Sequence, residues 1–311
     1  MDWVRDRFPG EDPTVERASE DASFRSYWRV RVGGQRFILM DAPPDKEDSR
    51  PFVDVAARLR RAGLHAPEII TSDLTSGFLL LEDLGETLYA EELTPASADT
   101  LYGEALAALA RMQRIDPGGL PLYDRKLLTS EMDLFPDWYL ARQLKRPVDE
   151  QFRRWWSELQ DLLVGNAQEQ PQVFVHRDFH CGNLMRCPDP PGIIDFQDAV
   201  HGPVTYDLAS LLLDRYVSWP ADRLEHWCEQ FRQAHASDVA PELWQRWFDL
   251  TGLQRNLKVV GIFARLNLRD DKPRYLEWQP RFLGYVRATA RRYPECAALE
   301  SYLEALEPCG P

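Results

Sequence analysis

The sequence predicts an α+β chain, with a small N-terminal lobe built on an antiparallel sheet and a larger, mostly helical C-terminal lobe. Three observations predict it. β-prone runs crowd the first 85 residues. Helical periodicity dominates from residue 86 onward. A single strand–turn–strand segment, residues 173–198, interrupts the helices. The expected lobes are residues 1–85, which would bind nucleotide, and residues 86–311, which would carry catalysis and substrate binding.

The elements follow in order. Residues 24–32 and 35–40 are β-prone and flank Gly33-Gly34, a pair suited to a hairpin turn. Asp48 or Ser49 caps a helix with Pro51 in its first turn, and Phe52, Val55, Ala56 and Leu59 share one face. Residues 66–70 and 77–83 read as two more strands, the second apolar throughout as a buried strand should be. Leu84-Gly85 ends that pattern. Helices are expected over residues 98–115, 136–145, 148–166, 206–216, 221–237, 241–267, 275–293 and 297–306.

The interrupting segment carries the chemistry. An apolar run, Val173-Phe174-Val175, leads into His176-Arg177-Asp178; Asn183 follows, and a second apolar run ends in Asp195-Phe196. Phosphoryl transfer from ATP needs such a set. Asp178 is the expected base or orienting group for an attacking hydroxyl. Asn183 and Asp195 are the expected Mg2+ ligands, since magnesium prefers hard oxygen donors and substrate phosphates. His176 braces the loop. Ser19, Asp21, Ala22, Ser23, Phe24 and Arg25 stand at the head of the small lobe, where Ser23 and backbone amides can meet phosphate oxygens. Glu82 to Leu84, between the lobes, can offer backbone groups to adenine.

Bulk properties narrow the class. The chain has 311 residues, 44% of them hydrophobic and 28% charged, which suits a globular enzyme. No segment is long and apolar enough to span a membrane, the N-terminus does not read as a secretory signal, and five scattered cysteines suit a reducing compartment. A cytoplasmic enzyme is expected. The net charge of −13 argues against a nucleic-acid partner, and no obligate protein partner is inferred. Residues 241–292 hold eleven Arg and Lys against five Asp and Glu, a balance of +6, leaving −19 for the remainder. That basic stretch reads either as solvated helix surface or as a face toward something anionic.

On the segments 176–183 and 194–199 the sequence resembles the aminoglycoside-phosphotransferase-like kinases, which have a bilobal protein-kinase-like fold. The resemblance covers nearly the whole chain. Within that superfamily it looks most like the anomeric amino-sugar kinases of bacterial cell-wall recycling, which phosphorylate N-acetylmuramate and N-acetylglucosamine. The carrying features are Asp21-Ala22-Ser23-Phe24-Arg25, Met40-Asp41-Ala42-Pro43-Pro44, Phe135-Pro136-Asp137-Trp138-Tyr139, residues 202–208 and residues 253–263. The resemblance implies ATP and Mg2+ as cofactors and a small amino sugar as acceptor. One departure matters: protein kinases place a Lys near the end of the third strand, and here that region reads Phe37-Ile38-Leu39-Met40-Asp41. Arg25, Arg29 or Lys46 must supply the charge, or magnesium and backbone amides hold the phosphates.

For the acceptor, a polycationic aminoglycoside calls for an acidic pocket. The lactyl carboxylate of N-acetylmuramate calls for a cation, Arg being best suited. Gln254, Arg255 and Lys258 can converge on one helix face. Gln197 and Asp198 can hydrogen-bond sugar hydroxyls. Trp138 and Tyr139 either stack on a pyranose or pack in the core. An aminoglycoside or amino-alcohol phosphotransferase, and a nucleotide-binding module without turnover, stay open as alternatives.

Overall fold

The computed structural model describes residues 2–20 and 24–306, with the side chains of residues 19 and 20 outside the description. Backbone contacts divide the chain into two units. The first holds residues 1–115 and 182–199, and the second holds residues 116–181 and 200–311.

The first unit is organised by an antiparallel five-stranded sheet of order β1-β2-β3-β5-β4. Its strands are β1 (Thr14–Glu20), β2 (Ser26–Val32), β3 (Gln35–Asp41), β4 (Ile69–Asp73) and β5 (Phe78–Glu82). Gly33 and Gly34 both have positive φ, 54° and 78°, and pair Val32 with Gln35 across a two-residue turn. Non-glycine residues adopt that geometry poorly, so the glycine pair sets the hairpin register. β5 is buried on both faces, as its continuous apolar run requires. β4 begins at Ile69, later than the expected strand over 66–70: Arg60 reaches the Ala66 carbonyl, Pro67 has no amide to donate, and only the Glu68 carbonyl still meets β5, accepting from the Glu82 amide at 2.8 Å. β1 and the short α1 (Asp2–Arg5) were not expected; Val4, Val30, Val32, Leu39 and Leu80 form the small core between them.

α2 (Arg50–Arg61) buries Phe52, Val55, Ala56 and Leu59, the face anticipated from spacing. Its first turn is closed by Asp48, whose Oδ1 accepts from the Arg50 amide at 3.0 Å; the Ser49 side chain makes no cap bond. The expected boundary near residue 86 falls inside this unit. α3 (Tyr89–Glu92) and α4 (Ala98–Met112) belong to it, as does the hairpin of β7 (Leu184–Met185) and β8 (Gly192–Ile193). The reason is local bonding: Leu88 bridges Met185, the Arg186 amide donates to the Thr87 carbonyl at 2.8 Å, and the Ile193 amide donates to the His65 carbonyl at 2.8 Å.

The second unit is helical except for β6 (Gln172–Val175) paired with β9 (Val200–Pro203). Its helices are α5 (Arg125–Met132), α6 (Glu150–Glu169), α7 (Tyr206–Leu212), α8 (Ala221–His235), α9 (Pro241–Asp270), α10 (Gln279–Arg292) and α11 (Ala297–Leu306). α9 runs through the core, with Leu250, Leu253, Leu257, Val260 and Ala264 fully buried. The segment anticipated as a short α-helix at 136–145 is a π-helix, Phe135–Gln143, in which the Leu144 amide reaches the Tyr139 carbonyl at 3.0 Å. Pro136 donates no bond to the first turn, and the segment packs closely on α9 at Gly261. The helix expected over 275–293 is a 3₁₀ turn, Pro273–Trp278, followed by α10.

A Cβ added at Gly261 would collide with the Leu134 backbone. Gly261→Ala should therefore lower stability by about 1–3 kcal/mol, measured by urea denaturation. Wild-type stability in that variant would show that the two helices can separate freely.

Candidate active site

The loop after β6 is held by a buried acid. The amides of His176 and Arg177 donate to the Asp207 carboxylate at 2.7 and 3.0 Å. Asp207 lies in the first turn of α7 and is fully buried. Burial pushes its carboxyl up to about 7, against the pull of the two backbone donors. His176 is itself buried, and its Nδ1 accepts from the Asp178 amide at 3.3 Å. His176 was expected to brace this loop. Arg177 has φ +76°, a left-handed conformation that costs a non-glycine residue about 1–2 kcal/mol.

The Arg177 side chain is anchored by Glu131, which also takes Lys258 at 3.0 Å and the Tyr123 hydroxyl. Lys258 additionally donates to the Tyr206 hydroxyl at 3.2 Å. Burial pushes the Glu131 carboxyl up, but the charges of Lys258 and Arg177 prevail and hold it below its usual value. Asp178 follows the same logic. Burial opposes its ionised form, and the charges of Lys258, His180, Arg255 and His176 outweigh it, so the carboxyl sits below its usual value. An ionised Asp178 can accept a hydrogen bond from an alcohol at neutral pH.

Asn183 and Asp195 lie in the first unit and meet there. Asn183 closes a 3₁₀ turn, Cys181–Asn183, and its Nδ2 donates to Asp195 Oδ2 at 3.2 Å. Gln197 Nε2 donates to Asp195 Oδ1 at 2.9 Å. Asp195 also has positive φ, +63°, and the next residue, Phe196, packs on Phe52 of α2 at 4.8 Å between ring centres. The donor set fits magnesium: a carboxylate and an amide whose oxygen a half-turn of the side chain presents.

The expected nucleotide residues fall unevenly. Asp21, Ala22 and Ser23 lie outside the described residues, as does the Ser19 side chain; Ser19 itself is on β1, paired with Tyr27. Phe24 is exposed, with the Lys46 ammonium 5.1 Å from its ring. Glu47 takes the Phe24 amide at 3.2 Å and the Arg25 guanidinium at 3.0 Å. Arg29 is consumed elsewhere: it grips Asp83 through two nitrogens at 2.8 and 3.2 Å and Glu86 at 2.8 Å. The Glu82 amide is already bonded to Glu68, and Leu84 is buried.

The expected substrate residues all map to the second unit except Gln197 and Asp198, the latter exposed. Trp138 is half-buried, with the Arg142 guanidinium 3.9 Å from its ring centre, and Tyr139 packs on Phe135 in the core. Gln254 is buried with neither side-chain polar atom partnered, and Arg255 donates to the Leu213 carbonyl at 3.5 Å. Sequence reasoning missed Asp207 and Glu131 as supports. Asp207 had a signal, an acid set inside the apolar run 206–213; Glu131 had none.

A profile of the APH phosphotransferase enzyme family matches residues 14–248. The chain belongs to this family. It is similar to an N-acetylmuramate/N-acetylglucosamine kinase of Pseudomonas aeruginosa, 48% identical over 305 residues, covering 96% of this chain and 90% of the relative. Kinases of the same name from Pseudomonas putida and Neisseria meningitidis are 44% and 38% identical, each covering 98% of this chain and 93% and 94% of the relative. Among solved structures, aminoglycoside phosphotransferase APH(4)-Ia superposes with a TM-score of 0.61 at 16% identity, covering 92% of this chain and 98% of the other. A Plasmodium vivax ethanolamine kinase does so with 0.66 at 12%, covering 91% and 85%. The bilobal kinase-like fold expected from the sequence is thereby established, and this family member is a phosphotransferase acting on a hydroxyl acceptor.

Glu131→Gln would leave two buried cations without their acid and should cost about 3–5 kcal/mol, more than Lys258→Met, which leaves Glu131 paired with Arg177. Because the Glu131 carboxyl is depressed, its stabilisation is complete above the ordinary value of 4.5 and fades as pH falls through the folded value. Thermal melting against pH should show Glu131→Gln with a flatter acid limb than wild type. Identical limbs would remove Glu131 from this role.

Proposed function

We propose that the protein transfers the γ-phosphoryl group of ATP to the anomeric hydroxyl of N-acetylmuramate or N-acetylglucosamine. The single observation that carries this reading is the 38–48% identity, over nearly the full chain, to kinases of that name. The site chemistry supports it. In the proposed reaction the sugar oxygen bonds to the γ-phosphorus, the bond to the bridging oxygen breaks, and ADP leaves. The hydroxyl proton passes to the Asp178 carboxylate. An anomeric hydroxyl is more acidic than a ring alcohol, so Asp178 has less deprotonation to assist, and orientation supplies much of the rate. Asn183 and Asp195 hold Mg2+, which when bound neutralises charge on the transferring phosphoryl group. Arg25, kept in place by Glu47, takes over the phosphate contact that a strand Lys makes in protein kinases.

Two measurements test this reading. ADP release is followed with N-acetylmuramate, N-acetylglucosamine, kanamycin and choline; turnover confined to the cationic compounds would overturn the sugar assignment. Asp178→Asn should lower kcat about 10²–10⁴-fold with ATP binding retained, and full activity would remove Asp178 from the mechanism. In the second measurement Arg25→Ala should raise the KM for ATP about tenfold and leave that for sugar unchanged. An unaltered KM for ATP would leave the phosphates to magnesium and backbone amides.

A further inference from the structure

Three guanidiniums of the second unit, Arg215, Arg255 and Arg281, make no ion pair with a carboxylate among the described residues, though the charge of Arg255 also acts on Asp178 and Asp207. Arg125, Arg177, Arg232, Arg246 and Arg292 of that unit each pair with an acid. Among the described residues, Arg215, Arg255 and Arg281 do not. Arg255 is only 5% exposed, and its one bond is the long contact to the Leu213 carbonyl. Arg281 donates to the Arg215 carbonyl. Arg215 donates to the Tyr216 hydroxyl at 2.6 Å, while its Nε is buried without a partner. The adjacent acid, Asp214, is occupied by the amides of Cys181, Arg215 and Tyr216.

The three cations share one neighbourhood. The charges of Arg215 and Arg255 both act on His180, and those of Arg281 and Arg255 both act on Tyr285. Aromatic rings wall the place: the Arg215 guanidinium lies 4.8 Å from the centre of Tyr216, 5.2 Å from Trp278 and 5.9 Å from Tyr275. Tyr216 in turn meets His180, two residues past Asp178, at 5.9 Å between ring centres. Shielding guanidiniums from water without an acid is unfavourable. Arg255 is buried and Arg215 and Arg281 are half-buried near the loop that carries Asp178, a cluster that suits an anion brought by a ligand, and their forks match a planar carboxylate.

We propose that Arg215, Arg281 and Arg255, walled by Tyr216, Tyr275 and Trp278, form the subsite that receives the lactyl carboxylate of N-acetylmuramate. This rests on the amino-sugar kinase reading and adds the groups that would tell the two sugars apart. Arg255 was anticipated from helix spacing; Arg215 and Arg281 were not.

Steady-state kinetics on both sugars with Arg215→Gln and Arg281→Gln test it, each variant first checked for cooperative melting. The ratio of kcat/KM for N-acetylmuramate to that for N-acetylglucosamine should fall about ten- to hundredfold, through KM rather than kcat. If Arg281→Gln does not fold, Arg281→Lys keeps the charge, and its smaller loss should still be confined to N-acetylmuramate. Equal losses on both sugars in folded variants would overturn the proposal, because a cluster that holds the transferred phosphate serves both alike. Wild type that turns over neither sugar would overturn the kinase reading and this subsite with it. Wild type active on both, with unchanged ratios in the variants, would overturn the subsite alone.

Discussion

Two backbone amides on one buried carboxylate hold the loop that carries Asp178. Asp207 accepts from His176 and Arg177 at 2.7 and 3.0 Å, away from solvent. Both amides lie where β6 has ended and no strand partner can serve them, so the acid replaces a ladder that is no longer there. The start of α7 supplies that acid from a helical first turn, where a negative charge is favoured. Arg177 accepts a strained conformation in return, and its side chain is tied down by Glu131. Strain at such a position persists only when its surroundings over-determine it. Asp178 is the next residue, and its direction follows.

The charge balance around Asp178 depends on the same framework. A carboxylate at this depth would ordinarily favour its neutral form. Lys258 is the strongest of the charges that reverse this, and Lys258 is itself held by Glu131 and Tyr206. Net stability is not the purpose of such an arrangement, since buried ion pairs contribute little beyond their desolvation. What it fixes is the position of a positive charge. The first unit repeats the principle with neutral partners. Two amides, from Asn183 and Gln197, orient the Asp195 carboxylate, and Phe196 ties that strained turn to α2 through Phe52.

The strand lysine of protein kinases is absent here, and the proposed function gives its task to another cation. Of the three cations near enough in sequence, Arg29 is committed to Asp83 and Glu86, where it links β2 to the chain leaving β5. Arg25 pairs with Glu47 and adjoins residues 21–23 in the sequence. Arg25, rather than the committed Arg29, is accordingly the residue proposed to meet a phosphate.

The sequence by itself determined what depends on near neighbours. Gly33-Gly34 could only make a tight hairpin, the 3.6-residue spacing of Phe52, Val55, Ala56 and Leu59 could only bury one helix face, and Asp178, Asn183 and Asp195 stood out as candidates by their spacing after apolar strands. Tertiary structure decided the rest: that Asp207 and Glu131 are buried supports rather than surface acids, that Arg29 is spent on Asp83, that Phe135–Gln143 winds as a π-helix, and that Arg215 and Arg281 come together beside the same aromatic rings without an ion pair. The physical reason is that a charge has the same letter whether water or protein surrounds it. Its partner is chosen by packing between segments that lie far apart along the chain, and no local pattern records that choice.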